Sequence, residues 1–123
     1  MVKKILIADD SLFMRTMLRD ILSDKYKIVE AGTGLKAEQQ FKKEKPDLTL
    51  LDIIMPEGEE EGIRVLQKIG EDNPGARVVM ITAVGQDAVI KKCKKLGAVD
   101  YIVKPFDREE VINTVQKYLG QHG

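Results

Sequence analysis

The 123-residue chain has the length of one domain, and its 20 basic and 20 acidic side chains leave no formal net charge. This neutrality argues against a nucleic-acid-binding protein, because binding to a phosphate backbone draws on an excess of Lys and Arg. No apolar run approaches the ~20 residues that span a bilayer, and the single cysteine, Cys93, excludes an internal disulfide. We therefore expect one cytoplasmic, monomeric domain over residues 1–123, with no nucleic-acid or membrane partner.

Short apolar runs alternate with amphipathic stretches along the chain. The predicted strands cover residues 5–8, 26–31, 48–51, 77–82 and 99–103. Apolar residues at helical spacing follow each strand; after the first, Phe13, Met17 and Ile21 are expected in the core. The first, third and fourth strands are unbroken apolar runs, as in parallel strands covered on both faces. The pattern predicts an α/β fold, a doubly wound, flavodoxin-like sheet of five parallel strands in the order 2-1-3-4-5 with five helices.

Polar side chains collect where these strands end. They are Asp9 and Asp10 after the first strand, Asp52 after the third, Thr82 at the end of the fourth and Lys104 after the fifth. In an open α/β sheet, ligands bind beyond this carboxyl edge, near the point where the strand order reverses. Two carboxylates about 4 Å apart repel by roughly 4 kcal/mol at an effective dielectric near 20. A hard, oxygen-binding cation relieves that repulsion, which favours Mg²⁺ as cofactor.

This set of side chains has the composition of a phosphoryl-transfer site. Asp52, screened by Mg²⁺ and Lys104, can act as a nucleophile toward phosphorus, and Thr82 can donate a hydrogen bond to a phosphoryl oxygen. Each residue alone has a simpler explanation, since Asp9 and Asp10 can cap the following helix and Asp52 can be an ordinary loop carboxylate. Their joint placement at the ends of four strands favours the phosphorylation site.

Four segments carry a resemblance to a known family. They are IADDSLFMR (7–15), LLDIIMP (50–56), ITA (81–83) and YIVKPF (101–106). In combination they resemble the receiver domains of two-component response regulators, most of all the stand-alone chemotaxis type, over residues 3–119. The resemblance implies that Asp52 is the phosphoacceptor and that Asp9 and Asp10 are the acidic pair at the Mg²⁺ site. It also implies that the backbone carbonyl of Ile54 is a metal ligand.

The resemblance assigns the remaining polar residues to phosphate binding and switching. Lys104 would pair with the phosphoryl group, and its peptide bond to Pro105 would be cis. Thr82 would be the switch hydroxyl that moves toward the phosphoryl group. Tyr101 would be the aromatic residue that turns inward once Thr82 has moved.

The resemblance also implies protein partners. The phosphodonor would be a phosphohistidine on a histidine kinase, and the chain would be no enzyme beyond catalysing its own phosphorylation and dephosphorylation. A downstream target, with a motor component as first candidate, would bind the face formed by the fourth helix, fifth strand and fifth helix. The fourth helix is strongly basic, with lysines at 91, 92, 94 and 95. A relay role, passing phosphate from Asp52 to a histidine phosphotransfer protein, is the alternative, while the lone histidine, His122, argues against the chain being a histidine kinase itself.

The segment after Asp52 departs from the family pattern. Members usually place Gly about eight residues after the phosphoacceptor, whereas here the run MPEGEEEG (55–62) contains two extra residues and four glutamates. One interpretation is a solvated loop whose glutamates stabilise a helix N-terminus. The other is that Glu57, Glu59 or Glu60 reaches the metal site as an extra ligand.

Two apolar residues bear on the lifetime of the phosphorylated state. In the family, the positions of Ile54 and Val84 flank the path of the water that hydrolyses the phosphoaspartate. Neither side chain can assist that water, so we predict slow unaided dephosphorylation, which a partner phosphatase would accelerate.

A dinucleotide-binding fragment is the remote alternative. The run GTGLKA (32–37) matches the glycine-rich fingerprint, and Asp52 follows about twenty residues later. That interpretation leaves Asp9, Asp10 and Lys104 without a role.

Overall fold

The computed structural model describes residues 2–120, with five strands and five helices in alternation. The strands are β1 (Lys4–Ala8), β2 (Lys27–Ala31), β3 (Leu48–Leu51), β4 (Val78–Thr82) and β5 (Ala98–Val103). The helices are α1 (Leu12–Leu22), α2 (Gly34–Glu44), α3 (Glu61–Asp72), α4 (Asp87–Lys95) and α5 (Arg108–Leu119). Within these residues no helix is both long and apolar enough to cross a membrane. His122 lies outside the described residues.

All strand pairs are parallel and the sheet order is β2-β1-β3-β4-β5, which confirms the predicted fold. β1 pairs with β2 on one side and β3 on the other, so the strand order reverses between β1 and β3. The crevice outside the carboxyl ends of such a pair is the usual ligand site of doubly wound sheets.

The strands are apolar on both faces because helices cover both. On β1, Ile5 and Ile7 pack in the cluster that includes α1 and α5, whereas Leu6 and Ala8 pack in the cluster that includes α2, α3 and α4. This alternation follows from the two-residue period of a strand. It explains why the central strands read as unbroken apolar runs rather than as alternating ones.

The core face of α1 differs from the predicted stripe. Phe13 is 71% exposed, so its assignment to the core was wrong. The residues that face the core recur at helical spacing and are Met14, Met17, Leu18, Ile21 and Leu22. Phe13 is one residue ahead of that series, about 100° around the helix from Met14, and therefore lies off the buried face.

Local sequence signals account for the helix ends. The Ser11 hydroxyl accepts the Met14 N–H at 3.2 Å at the start of α1, and Thr33 does the same for Lys36 at 3.0 Å in α2. Gly97 follows α4 with φ of 112°, a conformation that side-chain-bearing residues rarely adopt and that is typical of a glycine at a helix C-terminus.

We expect the substitution Thr49→Val to stabilise the fold. The Thr49 hydroxyl is fully buried in β3 and has no hydrogen-bond partner among the described residues. Valine has nearly the same shape and removes that desolvated oxygen, so the free energy of unfolding should rise by about 1 kcal/mol. Urea unfolding measures the change, with Thr16→Val on the exposed side of α1 as control; a loss of stability for Thr49→Val would contradict the prediction.

Candidate functional site

Three of the polar residues directly follow a strand, and each is held in place by a backbone hydrogen bond to a neighbouring strand. The amides of Asp9, Asp52 and Lys104 donate to carbonyls of neighbouring strands over 3.0, 2.9 and 2.8 Å. Each of these residues is thereby held at the carboxyl edge. The predicted convergence of the strand ends is confirmed for these three residues.

Three carboxylates meet at the β1–β3 crevice. One carboxylate oxygen each from Asp9, Asp10 and Asp52 lies within 4.8 Å of the others. Asp9 is 2% exposed and Asp52 7%, whereas Asp10 is exposed to solvent. Asp9 also accepts the Ser11 N–H at 2.9 Å, so it supports the start of α1, but Ser11 is the residue that caps the helix.

The Lys104 ammonium bridges two of these carboxylates. Its Nζ lies 2.7 Å from Asp9 Oδ2 and 2.8 Å from Asp52 Oδ2. Burial by itself lowers the pKa of Lys104, but the hydrogen bonds to Asp52 and Asp9 outweigh it and the pKa is raised. Lys104 is therefore charged at neutral pH. The Lys104–Pro105 peptide bond is cis, as the resemblance implied.

The aspartate cluster fits a magnesium ion. Burial raises the pKa of Asp9, and the hydrogen bonds from Lys104 and Ser11 offset this only in part. One ammonium among three carboxylates leaves excess negative charge that a divalent cation would neutralise. The candidate ligand atoms are all carboxylate oxygens, and those of Asp10 are exposed to solvent. This suits an ion that retains part of its water shell.

Asp52 presents its two oxygens to different partners. Oδ1 accepts backbone N–H groups from Ile53 at 2.6 Å and Ile54 at 3.3 Å, while Oδ2 faces Lys104. The carboxylate is thus oriented by its own loop and by the lysine. A carboxylate held in this way is positioned to act as a nucleophile beside a fixed positive charge.

Thr82 and Tyr101 lie on β4 and β5, next to this cluster in the strand order. Thr82 is fully buried, and its hydroxyl accepts the Val84 N–H at 3.4 Å. Tyr101 is partly buried and donates its hydroxyl to the Val84 carbonyl. Burial, with the nearby Cys93 and Asp52, raises the pKa of Tyr101 to about 12, so the hydroxyl remains a donor at neutral pH. Both side chains thus meet at one residue of the β4–α4 loop.

The two extra residues after Asp52 are accommodated before α3. Met55 and Gly58 form a backbone bridge with hydrogen bonds of 3.1 and 3.0 Å, which closes a turn around Pro56 and Glu57. The chain then returns so that the Gly62 amide donates to Ile53 at 2.7 Å. Gly62 thus lies close against the end of β3 in spite of the insertion, and a Cβ on it would overlap the Asp52 carbonyl oxygen.

The glutamates of this segment lie away from the aspartates. Both oxygens of Glu57 accept amides at the start of α2, from Gly34 and Leu35, each at 2.9 Å. Glu60 lies 3.8 Å from Lys92 on α4, and Glu59 is exposed. The expectation of an extra metal ligand is not supported among the described residues. The start of α2 offers the Glu57 carboxylate two N–H groups to accept, whereas the aspartate cluster offers it only further negative charge. The alternative interpretation holds, with Glu57 at the start of α2 and Glu61 in the first turn of α3.

Two arginines brace the site, and sequence reasoning assigned neither of them this role. Arg15 donates to the Asp9 carbonyl at 2.8 Å and pairs with Glu30 at 3.0 Å. Arg64 joins Glu61 and Glu38 at 2.7 and 2.6 Å, linking α3 to α2. The three-residue spacing of Glu61 and Arg64 is a signal that the sequence does contain.

The dinucleotide interpretation conflicts with the start of α2. A pyrophosphate would need the free amides of that helix end. The amides of Gly34 and Leu35 donate instead to Glu57, and that of Lys36 donates to Thr33. The donors of the glycine-rich turn are thus taken by the protein itself.

Comparisons with known proteins agree with this geometry. The model of the response regulator receiver domain matches residues 5–116. The chain is 40% identical over 120 residues to chemotaxis protein CheY of Halobacterium salinarum, covering 97% of this chain and 98% of that protein. It is 38% identical over 120 residues to sporulation initiation phosphotransferase F of Bacillus subtilis, covering 97% of this chain and 95% of that protein.

A solved structure gives the same result. CheY in the CheX–CheY–BeF3–Mg complex of Borrelia burgdorferi superposes with a TM-score of 0.87 at 37% identity, covering 94% of this chain and 87% of that chain. The residues matched by the family model, 5–116, include the three aspartates and Lys104. The chain belongs to the response regulator receiver domain family.

Proposed function

We propose that the chain is a phosphorylation switch: Asp52 accepts a phosphoryl group from a histidine kinase, and the phosphorylated chain signals by binding another protein in chemotaxis. The observation that carries this proposal is the placement of Lys104 at 2.8 Å from Asp52 within a cluster of three aspartates. An ammonium and a divalent-cation site next to the same carboxylate favour phosphoryl transfer, in which charge stabilisation supplies most of the catalysis.

The transfer conserves atoms and charge. An Asp52 carboxylate oxygen attacks phosphorus and forms an O–P bond, while the N–P bond to the donor imidazole breaks. The electron pair of the N–P bond returns to the imidazole nitrogen. That nitrogen takes a proton from solvent, so the donor histidine leaves as neutral imidazole. Lys104 then contacts an oxygen of the new phosphoryl group, and Thr82 donates a hydrogen bond to another.

Asp9, Asp10, Asp52 and the carbonyl of Ile54 would hold Mg²⁺. When bound, the ion would neutralise charge on the aspartates and on the phosphoryl oxygens. Asp9 has the further task of orienting Lys104, which it contacts at 2.7 Å.

The output step would begin at Thr82. Movement of this hydroxyl toward a phosphoryl oxygen breaks its contact with the Val84 amide and vacates buried space on β4. Tyr101, which also contacts Val84, would turn into that space. Phosphate would shift the population because it binds this second arrangement more tightly.

The face formed by α4, β5 and α5 offers a surface for a downstream partner. Val99 and Val103 are 38% and 40% exposed on the edge strand β5. The neighbouring helix α4 carries exposed lysines, at 91, 92, 94 and 95. The combination suits an acidic segment with apolar side chains, as expected of a motor-derived peptide.

Beryllofluoride, which mimics a phosphoryl group on aspartate, tests the site directly. Fluorine NMR should show a bound signal that requires Mg²⁺ and is absent in Asp52→Asn. Lack of the signal in folded wild-type protein would contradict phosphorylation at Asp52. Affinity of the trapped form for a motor peptide would support the chemotaxis output, and transfer of phosphate to a histidine protein would support the relay alternative.

We expect Ile54→Asn to shorten the phosphorylated state. Ile54 is 43% exposed and lines one groove with Val84, so the groove lacks a polar side chain at both positions. An amide there can orient water toward the phosphoryl group and should speed dephosphorylation about fivefold, or about 1 kcal/mol. Decay after removal of donor measures the rate, with Ile54→Val as apolar control; a slower decay in Ile54→Asn would contradict the expectation.

A further inference from the structure

Glu57 joins the loop after Asp52 to a different part of the chain. Its carboxylate accepts the Gly34 and Leu35 amides, both at 2.9 Å, with one oxygen on each. These amides are among the donors at the start of α2 that lack partners inside the helix, and their end of the helix attracts negative charge. The hydrogen bonds from Gly34 and Leu35 lower the pKa of Glu57, so the contact is made by an ionised carboxylate at neutral pH.

Within residues 55–58 the other anchors are local; farther along the segment, Glu60 pairs with Lys92 and the Glu61 side chain packs against Gly34. The bridge between Met55 and Gly58 closes the turn on itself, and the Gly62 amide ties the start of α3 to Ile53. These contacts preserve the shape of the loop. Among the described hydrogen bonds of the turn, those of Glu57 connect it to the corner between β2 and α2.

The same corner is contacted from the Asp9 side. The Arg15 Nη1 atom lies 3.1 Å from the point where a Cβ on Gly32 would stand, so the guanidinium packs over this glycine. The same Nη1 donates to the Asp9 carbonyl at 2.8 Å. Arg15 therefore connects the corner to one aspartate segment, and Glu57 connects it to the other.

We propose that Glu57 is a positioning residue for the metal site: by tying the Asp52 loop to α2, it sets that loop against Asp9 and Asp10 and strengthens Mg²⁺ binding. This inference rests on the proposed function, since it takes the aspartate cluster to be the ion site. Without Glu57, the loop would have to be ordered when the ion binds, and the entropy lost would weaken binding.

The test compares Mg²⁺ affinity in four proteins by titration of ¹⁵N-labelled chain: wild type, Glu57→Ala, Glu57→Gln and Glu59→Gln. Glu59 is the matched control because it is exposed in the same loop and carries the same charge, without a hydrogen bond to the corner. We expect Kd to rise about tenfold in Glu57→Ala, at the low end of losses for outer-shell residues. Glu57→Gln, which keeps one acceptor, should raise it about threefold, and Glu59→Gln less than twofold, the screened effect of one charge.

Amide exchange supplies a second readout that a purely structural cap would not move. Because coupling is reciprocal, Mg²⁺ should slow exchange at Gly34 and Leu35 in wild type, and this effect should be smaller in Glu57→Gln and absent in Glu57→Ala. Thermal unfolding in EDTA identifies any variant that is not folded. If Glu57→Ala is unfolded, the comparison of affinities uses Glu57→Gln.

Two results would overturn the proposal. Equal affinity in Glu57 variants and wild type would leave Glu57 as a helix cap only. An equal loss of Mg²⁺ affinity in Glu59→Gln would show that only the negative charge of the loop matters, and not the contact of Glu57 with α2. Failure of wild type to bind Mg²⁺ would instead overturn the proposed function beneath it, and is recognised from the wild-type titration alone.

Discussion

Lys104→Met should lower the free energy of unfolding by about 3 kcal/mol at pH 7 without divalent cations, as expected when one partner of a buried ion pair is removed. Lys104 bridges Asp9 and Asp52, whose side chains are only 4% and 8% exposed. The substitution leaves both carboxylates without the ammonium and close to Asp10. It should also abolish most phosphorylation, because the positive charge beside the attacking carboxylate is lost.

The deficit should shrink as the pH falls. The pKa of Asp9 is already raised in the folded protein, so the folded state holds this proton more tightly than the unfolded chain does. Removing Lys104 raises that pKa further, and protonation of Asp9 then relieves the repulsion on the acid side of neutrality. Urea unfolding at pH 7 and pH 5 measures the difference, with the exposed Lys36→Met as control. A deficit that grows toward pH 5 would contradict this electrostatic explanation.

Gly62→Ala is the second substitution with a large expected effect. A Cβ on Gly62 would stand 1.9 Å from the Asp52 carbonyl oxygen and 2.5 Å from the Ile53 Cα. Both neighbours are backbone atoms, so the end of β3 must shift rather than a side chain rotate. The cost should be about 3 kcal/mol, at the upper end for overpacking.

The same shift should impair the site, since it displaces the residue that carries the nucleophile. We therefore expect Gly62→Ala to lose most beryllofluoride capture even under conditions where it is folded. Gly58→Ala is the matched control in the same segment, because a Cβ there would meet no atom within 4 Å. Urea unfolding and beryllofluoride capture are measured on both variants. Similar stability of Gly62→Ala and Gly58→Ala would show that the close approach of Gly62 to the Asp52 carbonyl is not required.

The fold and the ends of the strands could be predicted because they depend on local, periodic signals. The apolar runs fixed the sequence positions of Asp9, Asp52 and Lys104 at strand ends, and parallel topology then brought them to one edge. The same reasoning misplaced Phe13, since i, i+4 spacing over three residues does not distinguish the buried face from one displaced by a single residue. The apolar neighbours at Met14 and Leu18 contained the missing information.

Contacts between distant loops could not be predicted in this way. Glu57 lies 23 residues from Gly34, and no local pattern marks a carboxylate that caps another helix rather than the next one. The position of Arg15 between Asp9 and Glu30 likewise depends on how α1 and β2 pack. Prediction from sequence therefore located the residues of the site but not the contacts that brace it.

Phosphorylation with a small-molecule phosphodonor tests the central claim most directly. Wild type and Asp52→Asn would be incubated with donor, with Mg²⁺ or with EDTA, and analysed by intact mass and peptide mapping. The account predicts one phosphoryl adduct on Asp52 that requires Mg²⁺ and is absent in Asp52→Asn. A folded wild-type protein that gains no adduct, or an adduct that persists in Asp52→Asn, would contradict it.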